Sequence, residues 1–152
     1  MKNSQLETLK ENAYMAREGG GGSSGGFTVA EIQNPANSGA LSIIKRIIIQ
    51  TNMAAKITAF WDYSTPQTSG FEKVINQLSG GSQGKTESAV DTLGSPATNG
   101  TQILTINTPG EQIIKLNPDN PLILQPGKLA SISSATADAG FFINVQLIEK
   151  PG

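Results

Sequence analysis

From Phe27 to the C-terminus the apolar residues recur at every second position in short runs, the period of strands and not of helices. The last run is the cleanest: Phe141, Ile143, Val145 and Leu147 share one face, and Phe142, Asn144, Gln146 and Ile148 the other. Such alternation predicts a strand with one face on a core and the other mostly wet. Similar runs begin at Phe27, Leu41, Lys56, Thr101, Glu111, Pro121 and Lys128, separated by turn-forming clusters such as Asn34–Gly39, Pro109-Gly110 and Pro126-Gly127. About eight short strands with turns every 8–12 residues predict an all-β chain folded as an antiparallel β-sandwich. Residues 71–78 (FEKVINQL) suit either a strand or a turn or two of helix, and 86–98 are polar and weakly patterned.

One run breaks the alternation. In LSIIKRIIIQ, Leu41, Ile43, Ile47 and Ile49 fall on one face with Lys45, while Ile44 and Ile48 flank Arg46 on the other. A small sandwich covers one side of each sheet, so apolar residues on both sides call for further cover, by a crossing loop or by another copy of the chain. Ile44 and Ile48 are therefore the expected interface residues of the sandwich.

Ahead of the strands the period changes. Residues 4–17 place Leu6, Leu9 and Ala13 on one helical face, and Ser4 with Glu7 fits a capping box, which predicts a short helix. Such a helix is marginal alone in water, so its apolar stripe is expected to dock on something. The run GGGGSSGG at 19–26 has no side chain to bury and reads as a flexible tether. The expected organisation is a helical arm over 1–18, a linker over 19–26 and a sandwich over 27–152, with Leu6, Leu9 and Ala13 as the arm's contacts.

Composition removes much of catalysis from consideration. The chain of 152 residues contains no His and no Cys, which excludes Ser-His-Asp and Cys-His nucleophiles, disulfides and thiolate metal sites. A net charge of −1 offers no excess of cations to neutralise phosphates, so no nucleic-acid partner is expected. No apolar run approaches the length of a membrane span, and no cofactor is implied. SGGSQGKT at 79–86 looks like a phosphate-binding loop, but Ser79 stands where the first Gly belongs, and it reads as a surface loop. Asp62, Glu72, Glu87 and Asp91 are candidates for paired-carboxylate hydrolysis, though no pattern brings two of them together. Asp119 reads as a turn former, and Asn99-Gly100-Thr101 as a hairpin turn in preference to a glycosylation site. The aromatic cluster Phe60-Trp61-Asp62-Tyr63 puts Trp61 and Tyr63 on one face of a strand, a platform on which a sugar ring could stack if both were exposed.

Asn34-Pro35-Ala36-Asn37-Ser38-Gly39 feeding an Ile-rich strand, and Pro121-Leu122-Ile123-Leu124-Gln125-Pro126-Gly127 before a closing strand that ends in Glu149, resemble segments of small jelly-roll virion proteins of tailed bacteriophages. The resemblance spans roughly residues 27–149. It implies a jelly-roll sandwich and a structural role in the virion, as a decoration, head-fibre or neck and tail accessory subunit assembled in the host cytoplasm. It also implies other virion proteins as partners and a symmetric homo-oligomer, a trimer by preference, and it carries over no catalytic residue. The alternative expectation is a receptor- or glycan-binding module at a particle surface, with Trp61 and Tyr63 as ligand contacts.

Overall fold

A computed structural model describes residues 13–20, 22, 24–117, 119–120 and 122–152, and Leu6, Leu9 and the first part of the expected helix lie outside them. The described residues are strands and connecting turns: β1 (Ala13–Gly20), β2 (Phe27–Asn34), β3 (Ala40–Thr51), β4 (Ala55–Tyr63), β5 (Glu72–Lys73), β6 (Ile75–Asn76), β7 (Glu87–Leu93), β8 (Thr101–Thr108), β9 (Gln112–Leu116), β10 (Leu122–Leu124), β11 (Lys128–Ser134) and β12 (Phe141–Pro151). They form two antiparallel sheets. The front sheet runs β10-β3-β12-β1-β6, with β9 also paired to β3, and the back sheet runs β5-β7-β2-β11-β4-β8. Consecutive long strands β1 to β4 alternate between the sheets, as do β10, β11 and β12. The inward faces enclose one core, in which Phe141, Ile143, Val145 and Leu147 of β12 meet Ala30 and Ile32 of β2 and Ile57 of β4. The alternation expected for the last strand is thus what the sandwich uses.

The N-terminal boundary is corrected. Ala13–Arg17, the last turn of the expected helix, belongs to β1, which pairs along its full length with β12 from Ala13 opposite Ile148 to Gly20 opposite Phe141. Tyr14 and Ala16 point into the core. Gly19 and Gly20, expected to begin the tether, are strand residues. The sandwich therefore includes Ala13–Gly20, ahead of Phe27.

The broken alternation of β3 also has a physical cause. Arg46 faces Gln146 and Ile44 faces Leu147, so Lys45 is an extra residue in the ladder. A bulge of this kind reverses which parity faces the core. Ile44 lies inward on one side of it, Ile47 and Ile49 inward on the other, and Ile43 and Ile48 point outward. Ile44 is consequently a core residue, buried to 2 % exposure, and is closed to a partner.

The ambiguous segment 71–78 laces the sheets together. β5 edges the back sheet and β6 the front sheet, with Val74 buried in the core between them. Val74 donates its N–H to the Thr86 carbonyl at 2.9 Å and accepts from Gly84 N–H at 3.0 Å. One long side of the sandwich is closed by this strap.

The two segments that carry the phage resemblance form one corner. Asn34, fully buried, donates from Nδ2 to the carbonyls of Ala40 and Leu124, both at 2.8 Å, and accepts the Ser38 hydroxyl at 2.6 Å. Its own carbonyl accepts Gly127 N–H at 2.7 Å. Gly39 (φ 66°) and Gly127 (φ 84°) supply the left-handed conformations that the two turns need.

Candidate functional site: the outer face of the front sheet

Outward positions of the front sheet fall into cross-strand rows. Ile113, Gln50, Phe142 and Gly19 make one row, Lys115, Ile48, Asn144 and Arg17 the next, and Arg46, Gln146, Met15 and Ile75 a third. Adjacent strands sit about 4.8 Å apart, so these rows cross roughly 15 Å of sheet. Of the six large exposed hydrophobic residues among those described, four (Ile75, Ile113, Ile123 and Phe142) project from this face. Ile113 is 60 % exposed and Phe142 57 %. The outward positions of these strands include Arg17, Arg46 and Lys115 and no carboxylate, so the face is apolar with a basic fringe.

Gly19 shapes the surface. A Cβ built on it would come within 2.0 Å of the Phe142 ring, so the ring lies directly over the bare backbone of β1. Beside it runs an open groove of about 630 Å³ lined by Met15, Ile48, Gln50, Ile75 and Phe142, among others, with Arg17 and the neighbouring Glu18 carboxylate as its charged groups. A glycine that reads as linker in the sequence is a seat for an aromatic ring in the fold.

The carboxylates have been spent on other work: they hold loops down. Glu31, fully buried on the outward side of the back sheet, accepts Tyr63 Oη–H at 2.5 Å on one oxygen. Its other oxygen accepts Gln67 N–H and Thr68 N–H, both at 2.8 Å, and the Thr68 hydroxyl at 2.6 Å. The 64–70 loop is thereby clasped across the back sheet, over an apolar cluster of Phe60, Tyr63, Leu129 and Phe71. Glu149 does the same for the phosphate-loop look-alike, accepting Lys85 N–H at 2.9 Å, Thr86 N–H at 2.7 Å and the Thr86 hydroxyl at 2.6 Å. The backbone donors that would cradle a phosphate are engaged by the chain's own carboxylate. Asp91 accepts Ser69 N–H at 2.9 Å, Glu87 pairs with Lys73 at 3.6 Å, and Asp62 with Lys128 at 3.8 Å. No group of three or more acidic residues that could hold a metal ion occurs among the described residues.

Tyr63 carries a marked shift. Burial, reinforced by the Glu31 carboxylate on its hydroxyl, pushes its pKa well above the ordinary tyrosine value of 10.0. Because the folded value is raised, the neutral phenol stabilises the fold at all pH below the unfolded value, and that stability is lost as pH climbs above it. The alkaline titration of tyrosinate absorbance, taken as wild type minus Tyr63→Phe, is expected to show no step near pH 10, about the ordinary value, and to rise only as the chain unfolds. A normal step there shows Tyr63 to be open to solvent.

The sugar platform expected from the aromatic cluster is not built. Leu129 faces Tyr63 and Ala130 faces Trp61, leaving Asp62 as an extra residue at φ 64°. This bulge turns Trp61 toward the space between the sheets, half-buried against the main core, and Tyr63 to the opposite face under the clasped loop. Of the expected interface residues, Ile48 lies on the outer face, Ala13 begins β1 on the far side of β12 and is buried, and Ile44 is inside. Sequence alternation puts Phe142 on the wet face of its strand and does not single out Ile113 or Ile75. Large aliphatic residues at outward positions of neighbouring strands were the signal, legible only once strand order was known. The chain matches no known protein family, and no characterised protein matches it.

Proposed function

We propose that the chain is a non-enzymatic structural subunit of a tailed-bacteriophage virion. In this reading it is a jelly roll that attaches to neighbouring shell, neck or tail subunits through the outer face of its front sheet and assembles as a homo-oligomer. The observation that carries the reading is that face: Phe142, Ile113, Ile75 and Ile48 stand together on one side of a rigid sheet. Apolar groups clustered on a sheet face mark a protein contact better than a small-ligand site, which would be deeper and have convergent polar groups. The basic fringe fits a partner surface with acidic groups around an apolar centre.

Two further features support it. The strand orders β1-β12-β3-β10 and β2-β11-β4-β8 have the winding of a double Greek key. The segments that resemble phage virion proteins also meet at Asn34, as parts of one corner. The test is incorporation. Wild-type protein is expected in gradient-purified particles from infected cells, and a Phe142→Asp, Ile113→Asp double variant is expected to be depleted from them about 100-fold or more, as when central interface anchors are lost. Both side chains are more than half exposed, so the variant should keep the melting temperature of wild type. Wild-type protein missing from particles, or a variant incorporated at full occupancy, overturns the reading.

A further inference from the structure

The two long sides of the sandwich are closed differently. On one side the β5–Val74–β6 strap joins the sheets. On the other, β8 ends the back sheet facing β9 and β10, and a cleft of about 320 Å³ opens between them, lined by Ile103, Leu104, Leu116 and Leu122 among other apolar residues, together with Lys115 and Asn117.

The sheet edges differ as well. Exposed edges invite another strand, and proteins blunt them by shortness, charge or proline. β5 is two residues long and both are charged, β6 is two residues and β10 three, and β9 carries Lys115. The part of β1 beyond β6 carries Arg17 and Glu18, and the part of β7 beyond β5 carries Asp91. β8 (TQILTINT) has eight residues, no charge and no proline, and among the described residues it pairs with β4 alone. A bulge interrupts it at Ile103, leaving Leu104–Thr108 as a regular stretch whose alternate N–H and C=O groups point away from β4.

We infer that β8 is a homotypic docking edge: two copies of this chain pair antiparallel along Leu104–Thr108, making one continuous back sheet across a two-fold axis. The occupant is a second copy because an antiparallel pairing about Ile106 sets Leu104 of one copy opposite Thr108 of the other and Thr105 opposite Asn107, and a strand without charge brings no like charges into register. The same axis brings the two apolar clefts together, so that Ile103, Leu104, Leu116 and Leu122 of both copies cover what each leaves open. Antiparallel strands also reuse the donors and acceptors of β8 that face solvent in the single chain. This contact is separate from the front-sheet face and does not depend on the virion reading.

Sedimentation of the full chain tests it, with a Thr105→Lys, Asn107→Lys variant as the partner experiment. Both residues are exposed and point away from the core; Asn107 lies opposite Lys56 on β4, so a small drop in melting temperature is expected from that pair alone, while the lysines would also face one another across the axis. A wild-type dimer whose dissociation constant weakens about tenfold or more in the variant is expected. In wild type, alternate amides within 104–108 should exchange slowly at high concentration and quickly on dilution. A wild type that stays monomeric, a trimer, or a dimer untouched by the lysines overturns the inference.

Discussion

Removal of residues 1–18 is expected to abolish cooperative folding, not to release a pendant arm. The deletion takes Ala13–Glu18 of β1, a strand flanked by β12 on one side and β6 on the other. Tyr14 leaves the core, where it is 9 % exposed, together with Ala16 at 2 %. Burial of a large side chain contributes about 1.5–3 kcal/mol. Each ladder hydrogen bond adds about 1 kcal/mol net, and β1 makes several with β12. The combined loss exceeds about 5 kcal/mol, against a typical total stability of about 5–15 kcal/mol. It also bares the edge of β12, a strand rich in Phe, Ile and Val, and so favours aggregation. Circular dichroism melting of the truncated chain should show no sharp transition where the full chain has one. A cooperative melt within about 5 °C of the full chain, well under the shift such a loss implies, would show that the sandwich begins at Phe27 after all.

Strand period is a local property, so β12, with its strict alternation, could be assigned to a face without knowing its neighbours. Turn chemistry is local too, which is why the Asn34–Gly39 and Pro126-Gly127 punctuation coincides with real corners. Gly19 and Gly20 defeat local reasoning, because glycine has the weakest claim to a strand by itself. They are held there by the β12 ladder, and Gly19 is required by the Phe142 ring that lies over it. The bulges at Lys45 and Asp62 are likewise properties of two strands at once. Each reversed the facing of an expected site residue: Ile44 went into the core, and Tyr63 went to the other side of the sheet from Trp61. The charged residue in each run was the only hint, since Lys45 interrupts an isoleucine series and Asp62 an aromatic one.

The same argument accounts for how the candidate surface was only half found. Ile48 was picked out because its own strand looked overloaded with isoleucine. Phe142, Ile113 and Ile75 lie on three other strands, and nothing local says that these neighbour Ile48. What joins them is strand order, with β9, β3, β12, β1 and β6 side by side. An apolar face spread over five strands leaves only one outward apolar residue or two in each, which is what any half-exposed strand contains.

Glu31→Ala should be a strongly damaging substitution for an acidic residue on a strand. The carboxylate has no exposure and takes four hydrogen bonds, from the Tyr63 hydroxyl, two loop N–H groups and the Thr68 hydroxyl. Truncation strands those donors beneath the 64–70 loop, and each buried donor left unmet costs about 1–3 kcal/mol. Part of that is recovered if the loop lifts into water, but lifting it leaves the buried Tyr63 hydroxyl without its acceptor. Either route gives a net loss of about 3–5 kcal/mol, or roughly 10 °C in melting temperature for a chain of this size. Glu31→Gln keeps the volume and one acceptor oxygen for the loop, so it should lose about half as much. Limited proteolysis separates the two routes: a lifted loop is cut within 64–70 in the Ala variant and spared in the Gln variant. If Glu31→Ala melts within about 1 kcal/mol of wild type, less than the cost of one unmet donor, the clasp is not what holds this loop.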